Sequence, residues 1–341
     1  MKEFDWVNDL KIRFGYGVTG NNDFDASYMA NTLSRDQYWM LPSGSWAFVY
    51  GPSSNVNPYL GWEEKKEWNI GVDYSFFGNR MYGKFDYYRR KIDGMIYEVN
   101  VPQPPYPNGK QWQNIGEMES KGWEFEVGGD IIQNKDFTWT SSLNMSHNSG
   151  KILTMYGNNS RMDGNAMDEP GWPGDASRIE EGAEIGAFHM WKFAGFDDKG
   201  DFLLYNKDGE VIPASQKSVD DKQYIGNYLP KVMMGWNNTF TYKNFDLGIN
   251  MRSWIGFDVL EDGSFLKIDV ITLGYTLALS KYTKWAERLR VYGTVGNVAT
   301  ITGYSGHNPE VNITGWEGGV DKVWNCDPIV RTYTLGIQVT F

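Results

Sequence analysis

Cysteine is almost missing from these 341 residues: Cys326 stands alone. One thiol cannot close an intrachain disulfide or build a thiolate metal cage, so a disulfide scaffold and a cysteine-based zinc site are both excluded. Histidine is nearly as scarce, and His147, His189 and His307 are spread with no metal-ligand spacing. Basic charge is in deficit, 32 Lys and Arg against 43 Asp and Glu, for a formal net charge of −11. A protein that grips a nucleic-acid backbone needs a basic stripe to displace counterions, so nucleic acid is not an expected partner. Long apolar runs are lacking too. No segment approaches the roughly 18 to 20 residues of a membrane-spanning helix, and the opening "MKEFDWVNDL" has no signal-peptide pattern. That last absence excludes helical membrane proteins only, because a spanning β-strand needs about 9 to 11 residues with every second one apolar.

What is abundant is aromatic and glycine content: 15 Trp, 21 Tyr, 18 Phe and 39 Gly on a polar background. That mixture suits strands and turns rather than helical bundles. The apolar residues recur with period two. Trp68, Ile70, Val72, Tyr74 and Phe76 alternate with polar residues and glycine, as do Trp123, Phe125, Val127 and Ile131, then Phe137, Trp139, Leu143 and Met145. The beat returns in Phe245–Met251, in Ile271–Leu277 and in Tyr333–Phe341. It predicts about ten strands, near 7–18, 62–76, 80–100, 113–131, 137–153, 228–242, 245–259, 263–278, 287–299 and 330–341.

Connections between these segments differ in length. The stretches 76–80, 132–137 and 242–245 read as tight turns, whereas 19–61, 154–227 and 300–329 are long and rich in Gly, Asn, Asp, Pro and Trp. Short turns at one end and long loops at the other describe an outer-membrane barrel. Aromatic residues flank the tight turns (Tyr74, Phe76, Phe77, Tyr82; Phe137, Trp139; Tyr242, Phe245), as a girdle at a membrane interface would. A large soluble sandwich or propeller also alternates, but no internal period of blade length is present. Alternation also sets facing. A basic side chain on the lipid face at midplane costs about 2 to 4 kcal/mol, so Arg252, Arg288 and Arg290 are expected to point inward or sit at a rim.

Four collinear stretches, "NPYLGWEEKKEWNIGVDYSFFGNRMYGKFDYYRRKIDGMI" (57–96), "NIGEMESKGWEFEV" (114–127), "GSFLKIDVITLGYTL" (263–277) and the terminal "RTYTLGIQVTF", resemble the C-terminal part of a SusC/RagA-type TonB-dependent outer-membrane transporter. The resemblance runs through nearly the whole chain. It implies an all-β fold, a transmembrane antiparallel β-barrel closed around an N-terminal plug. It also implies a SusD-like lipoprotein lid, energy delivered by the TonB complex, outer-membrane lipid around the wall, and a glycan or peptide substrate. Such transporters have 22 strands, so residues 1–341 read as the C-terminal half of the barrel. Met1 then reads as an internal methionine, and an N-terminal plug and barrel portion is an expected partner, because open sheet edges cannot be left in lipid. By the same resemblance the last strand is an assembly signal carried by Tyr333, Leu335, Ile337, Val339 and Phe341, with Phe341 at the periplasmic rim. One departure is the short connection 259–264, where members of the family usually carry a long extracellular loop. Either the loop is short or residues are missing there. A siderophore or cobalamin receptor, or a non-transporting adhesin or structural barrel, stays open as an alternative.

No catalytic constellation is expected. Glu180 and Glu181 are adjacent, Glu124 and Glu126 sit on a lumen-facing row where acids tune permeation, and no nucleophile elbow or phosphate loop is present. Substrate-binding candidates are the loop tryptophans Trp39, Trp112, Trp172, Trp316 and Trp324, with Trp46 and Trp191 beside them, since indole faces stack on sugar rings while neighbouring amides and acids bind hydroxyls. Packing beneath the loops or against the lid is the competing role for these residues. No cofactor is expected apart from calcium, for which Asp197, Asp201 and Asp208 are the candidates. Asn206–Glu210 is an eroded copy of the oxygen-rich run the resemblance implies here, with Lys207 where a ligand would help, and a solvated turn is the better account of it.

Overall fold

The computed structural model describes residues 5–21, 30, 33–52, 54–157, 161–167, 174–259, 261–306, 308–311 and 329–341. Ten long strands form one sheet: β1 Val7–Asn21, β2 Glu63–Phe76, β3 Met81–Asp93, β4 Gly116–Gln133, β5 Phe137–Met155, β6 Val232–Tyr242, β7 Phe245–Ile255, β8 Phe265–Ala278, β9 Arg288–Thr302 and β10 Thr332–Thr340. Each pairs antiparallel with its predecessor, so the sheet is a simple meander with β1 and β10 at its edges. These ten correspond one for one to the strands expected from alternation. The connections after β2, β4, β6 and β8 lie at one end of the sheet, and the others lie at the opposite end.

The two faces have opposite chemistry. On β2 the apolar face carries Phe76, Tyr74, Val72, Ile70 and Trp68, about 27 Å along the strand, before Lys66 and Glu64 take over. On β3 it carries Met81, Phe85 and Tyr87 before Arg89 and Lys91, which pair with Glu119 and Glu117 on β4. A ring of aromatic contacts marks the turn end: Trp6 with Phe76 and Phe77, Trp139 with Phe240, Phe245 with Tyr275, Trp285 with Phe341. A second belt at the other end, Trp68 against Tyr87 at 5.6 Å and Trp123 beside His147, was not apparent from turn composition. An apolar band between two aromatic girdles is the profile of a wall that faces hydrocarbon.

Even the polar residues on that face are provided for. Ser141 and Asn238 stand directly opposite each other on β5 and β6. Trp236 Nε1 donates to Ser141 Oγ at 2.8 Å, and Trp139 Nε1 donates to Asn238 Oδ1 at 3.0 Å. Two indoles thus satisfy two polar groups that would otherwise be stranded in an apolar surround.

The wall has no hydrophobic core of its own, which follows from a sheet with one apolar face turned outward and one polar face. The three buried clusters all lie at the loop end: Met95, Val99, Ile115, Ile152 and Ile179; Ala176, Phe188, Met190 and Tyr228; Phe257, Val259, Phe265 and Val311. Two of the segments expected as loops fold into small sheets, and one of them, 156–231, supplies Ile179 to the first cluster and the whole of the second. Residues 22–62 contain the hairpin Leu33–Met40 with Trp46–Pro52. Residues 156–231 contain a four-stranded sheet (Arg161–Met167, Gly174–Glu180, Ala187–Met190, Gln223–Asn227) and a three-stranded one (Lys192–Phe196, Phe202–Tyr205, Val211–Pro213). The expected strand 80–100 is broken in two: Gly94 adopts a positive φ of 69°, ending β3, and Ile96–Asn100 restarts as half of a hairpin with Lys110–Asn114. The β7–β8 connection is tight and continues the ladder through an Asp258–Asp262 bridge and a Val259 N–H bond to the Glu261 carbonyl.

Candidate functional site

The polar face of the wall and the small sheets above it are where a solute would meet this chain. Arg13 on β1 lies across β2 to reach Asp73 at 2.9 Å and Asp86 on β3 at 3.0 Å. The residue directly between them in the register is Gly71. A Cβ there would stand 2.3 Å from the Asp86 carboxylate and 2.7 Å from the Arg13 guanidinium, so the bridge requires glycine. Lys84 meets Glu126 at 3.2 Å and Arg90 meets Glu67 at 2.7 Å on the same face. The tyrosine hydroxyl of Tyr88 and the Ser120 hydroxyl both donate to Asn148 Oδ1, at 3.2 and 2.8 Å.

From β5 to β10 the middle of this face changes character. It presents Thr140, Ser142, Asn144, Asn237, Thr239, Asn250, Thr272, Thr294 and Thr334, with no ionised group at that level. Charge returns only at the two ends. Near the turns Arg290 pairs with Asp246 at 2.5 Å. Near the loops Arg252 reaches Asp269 at 3.0 Å and Glu310 at 2.8 Å, and Lys267 reaches Glu310 at 2.6 Å with its side chain only 5% exposed. A bulge in β8 supplies Asp269 as the extra residue, placing its carboxylate against Arg252. Arg252 and Arg290 therefore occupy the polar face as expected, and Arg288 stands opposite Thr340 on it.

Of the five substrate-binding candidates, Trp39 and Trp112 fall among the described residues, and they stand on different hairpins. Trp39 is 68% exposed near the tip of the Leu33–Met40 hairpin, about 20 Å along the strand from the Leu33–Pro52 end. Trp112 belongs to the Lys110–Asn114 strand opposite Glu98, and its carbonyl accepts from Asn57 Nδ2 at 2.9 Å. Trp191 Nε1 donates to the Ser218 carbonyl at 2.7 Å, and the ammonium groups of Lys217 and Lys222 lie 4.5 and 4.8 Å from its ring. Trp172, Trp316, Trp324, His307 and Cys326 lie outside the described residues.

The calcium candidates do not converge. Asp197 Oδ1 accepts from the backbone N–H groups of Lys199 and Asp201, and Asn206 Oδ1 accepts from those of Asp208 and Glu210. Both segments are hairpin turns, and in each one side-chain oxygen, of Asp197 or of Asn206, is taken by the turn's own backbone. Among the described residues no group of three His, Cys, Asp or Glu is placed to hold a metal. In the terminal strand Tyr333, Leu335, Ile337 and Val339 share the apolar face, and Phe341 packs on Trp285 at the turn end.

Asparagines that tie the loops together escaped sequence reading. Buried Asn55 donates to the carbonyls of Asn108 and Lys110, and Asn114 joins Gly61 to Gly94 through its amide. An asparagine in a polar loop carries no pattern that singles it out.

A family profile described as "TonB dependent receptor-like, beta-barrel" matches residues 3–298. The chain is 26% identical to TonB-dependent receptor P3 of Formosa agariphila and 26% identical to TonB-dependent receptor SusC of Bacteroides thetaiotaomicron. All of this chain is covered in both cases, with 40% and 38% of the relatives' own lengths. Among solved structures, that of the RagAB peptide transporter superposes with a TM-score of 0.83 at 24% identity, over 100% of this chain and 42% of that one. The chain thus spans about two-fifths of the relatives it matches, and its ten-stranded meander is a section of their barrel wall. It belongs to the TonB-dependent receptor-like β-barrel family.

Proposed function

We propose that this chain forms the C-terminal wall of an outer-membrane TonB-dependent importer in a Gram-negative bacterium, taking up oligosaccharides or peptides with a SusD-like surface lipoprotein. The observation that carries this reading is the opposition of faces: an apolar band between two aromatic girdles on one side, and on the other a strip of hydroxyls and amides from Thr140 to Thr334. A glycan or a peptide backbone is polar and largely uncharged, and that strip offers it donors and acceptors without a charged barrier. The names of the relatives agree, one being SusC and another solved structure being a peptide importer seen in "closed-closed" and "open-open" states. Transport makes and breaks no bond, so the chain needs no catalytic residue.

Neither edge of the sheet, β1 or β10, has a wall strand on its outer side among the described residues. Unpaired backbone groups are not tolerated in lipid, so further strands of the same transporter close the wall, its plug fills the lumen, and the TonB complex acts through that part. An isolated chain that closes by itself in a membrane would refute this. The functional test is uptake: cells deleted for the gene should lose import of one radiolabelled class, oligosaccharide or peptide, and the protein should copurify with a surface lipoprotein. Import of a labelled siderophore or cobalamin instead would overturn the reading. Trp39→Ala and Trp112→Ala separate two roles for the loop aromatics. Weakened substrate binding with the lipoprotein retained assigns them to the substrate, and the reverse assigns them to the lid contact.

A further inference from the structure

The apolar face is not uniformly filled. Near the turn end, between β3, β4, β5 and β6, lies a groove of about 430 Å³ lined by Met81, Val127, Ile131, Leu143 and Trp236. It exists because two small residues, Gly129 and Ser141, face each other in the register where their neighbours carry bulky side chains, and because a bulge in β4 sets Ile131 aside as an unpaired residue. Two of its polar lining groups are engaged: Ser141 Oγ accepts from Trp236, and the Asp130 carboxylate accepts from the Thr140 hydroxyl at 2.7 Å. The rest of the wall between them is apolar. At the mouth, in the turn between β2 and β3, stand Phe77 and Arg80. Among the described residues the Arg80 guanidinium makes one long hydrogen bond, 3.4 Å to the Asp130 carbonyl, which leaves most of its five N–H donors for another acceptor.

We propose that this groove holds an acyl chain of an anionic glycerophospholipid of the periplasmic leaflet, with the lipid phosphate on Arg80. This rests on the membrane reading above. Lipid is what covers an outward apolar face between aromatic girdles, and the single cation at the groove's mouth lies at girdle depth, where a headgroup sits. A guanidinium fork matches phosphate geometry. The occupant differs from annular lipid in being held at both ends, chain and headgroup.

The test uses the intact transporter in nanodiscs doped with phosphatidylglycerol bearing a diazirine on one acyl chain, with adducts mapped by mass spectrometry. Adducts should concentrate on Val127 and Leu143 over outward control positions Ile271 and Val291. Val127→Trp, which fills the groove, should remove the excess. Arg80→Gln, in an exposed turn where folding is not at stake, should lower it about fivefold, the contribution of one basic side chain at an anionic lipid surface. Equal labelling of groove and control positions, unchanged in Arg80→Gln, would reduce the groove to annular contact and overturn the proposal while leaving the membrane reading standing. No labelling anywhere on the outward face would overturn both.

Discussion

The polar face of the wall divides into two sectors that solve the same problem differently. Between β1 and β4 the middle of the face is ionic, with Arg13, Asp73 and Asp86 locked across Gly71 and with Lys84 paired to Glu126. Between β5 and β10 the same level is neutral, and its contacts are of the kind made by Thr272 and Thr294, two hydroxyls 3.0 Å apart. An ion pair fixes the geometry of both partners and leaves little hydrogen-bonding capacity for a third. A hydroxyl or amide keeps donors and acceptors in reserve. The ionic sector is thus built as a rigid surface, and the neutral one as a surface a polar solute can use. Where the neutral sector does carry charge, the charge is moved to its ends, and at the loop end it fastens the segment containing Glu310 onto β7 and β8.

That fastening gives the largest expected effect. Glu310→Gln leaves Arg252 and buried Lys267 sharing Asp269, which is 3.9 Å from the lysine. Removing one partner of a buried ion pair costs about 3 kcal/mol or more. Residues 303–311 should then exchange amide hydrogens far faster while the neutral strip is undisturbed. Unchanged protection would show that the ion pairs do not hold the loop. A smaller effect distinguishes the sectors directly. Gly71→Leu must displace both the Asp86 carboxylate and the Arg13 guanidinium, whereas Gly248, on the polar face of β7, has open space where its Cβ would go. Overpacking costs about 1 to 3 kcal/mol, so Gly71→Leu should reduce the heat-modifiable folded band on gels and Gly248→Leu should not. Equal loss in both would erase the contrast.

Much of this was legible in the sequence, and the rest was hidden for identifiable reasons. Period-two alternation locates all ten wall strands, and the cost of a cation on a lipid face confines Arg252 and Arg290 to the polar face or a rim. The bulge that delivers Asp269 shows only in the register. Ile268 and Ile271 share the apolar face at a spacing of three rather than two, which only a phase slip allows. The small sheets were not legible, since strands such as Ala187–Met190 are too short for a period to show, and all four of its residues are buried. Nor was the Arg13 bridge, which joins residues 60 and 73 positions apart. A glycine such as Gly71 reads as a generic strand glycine until the register puts an arginine on one side and an aspartate on the other.

On the apolar face the comparison can be sharpened by a double-mutant cycle. Trp139→Phe strips the donor from Asn238, which is only 4% exposed, and should cost about 1 kcal/mol, since polar contacts in a membrane setting are worth no more than this. Asn238→Leu in the Trp139→Phe background should recover most of the loss, because an apolar pair leaves nothing unpaired. Additive losses in the cycle would mean that the indole contributes through packing alone.

The smallest effect concerns acid. In the β7–β8 connection Glu261 accepts from the Ser305 hydroxyl at 2.5 Å and its N–H at 2.8 Å, and these bonds hold its carboxyl below the usual range. Asp262 is lowered in the same way by Ser264. A carboxyl depressed in the folded state contributes its stabilisation above its unfolded value, near pH 4, and loses it as the pH falls through the depressed one. The tie between residues 261 and 305 should therefore hold at neutral pH and give way only below about pH 4. Ser305→Ala removes the donor hydroxyl, raises the Glu261 carboxyl toward its ordinary value and should move that loosening to higher pH. Intrinsic-rate-corrected amide exchange at residues 303–306, followed across the acid range, reads the shift. The neutral middle of the wall, from Ser142 to Thr334, presents hydroxyls and amides and should show none. A wall that loosened in step with the loop would mean that acid acts on the sheet itself.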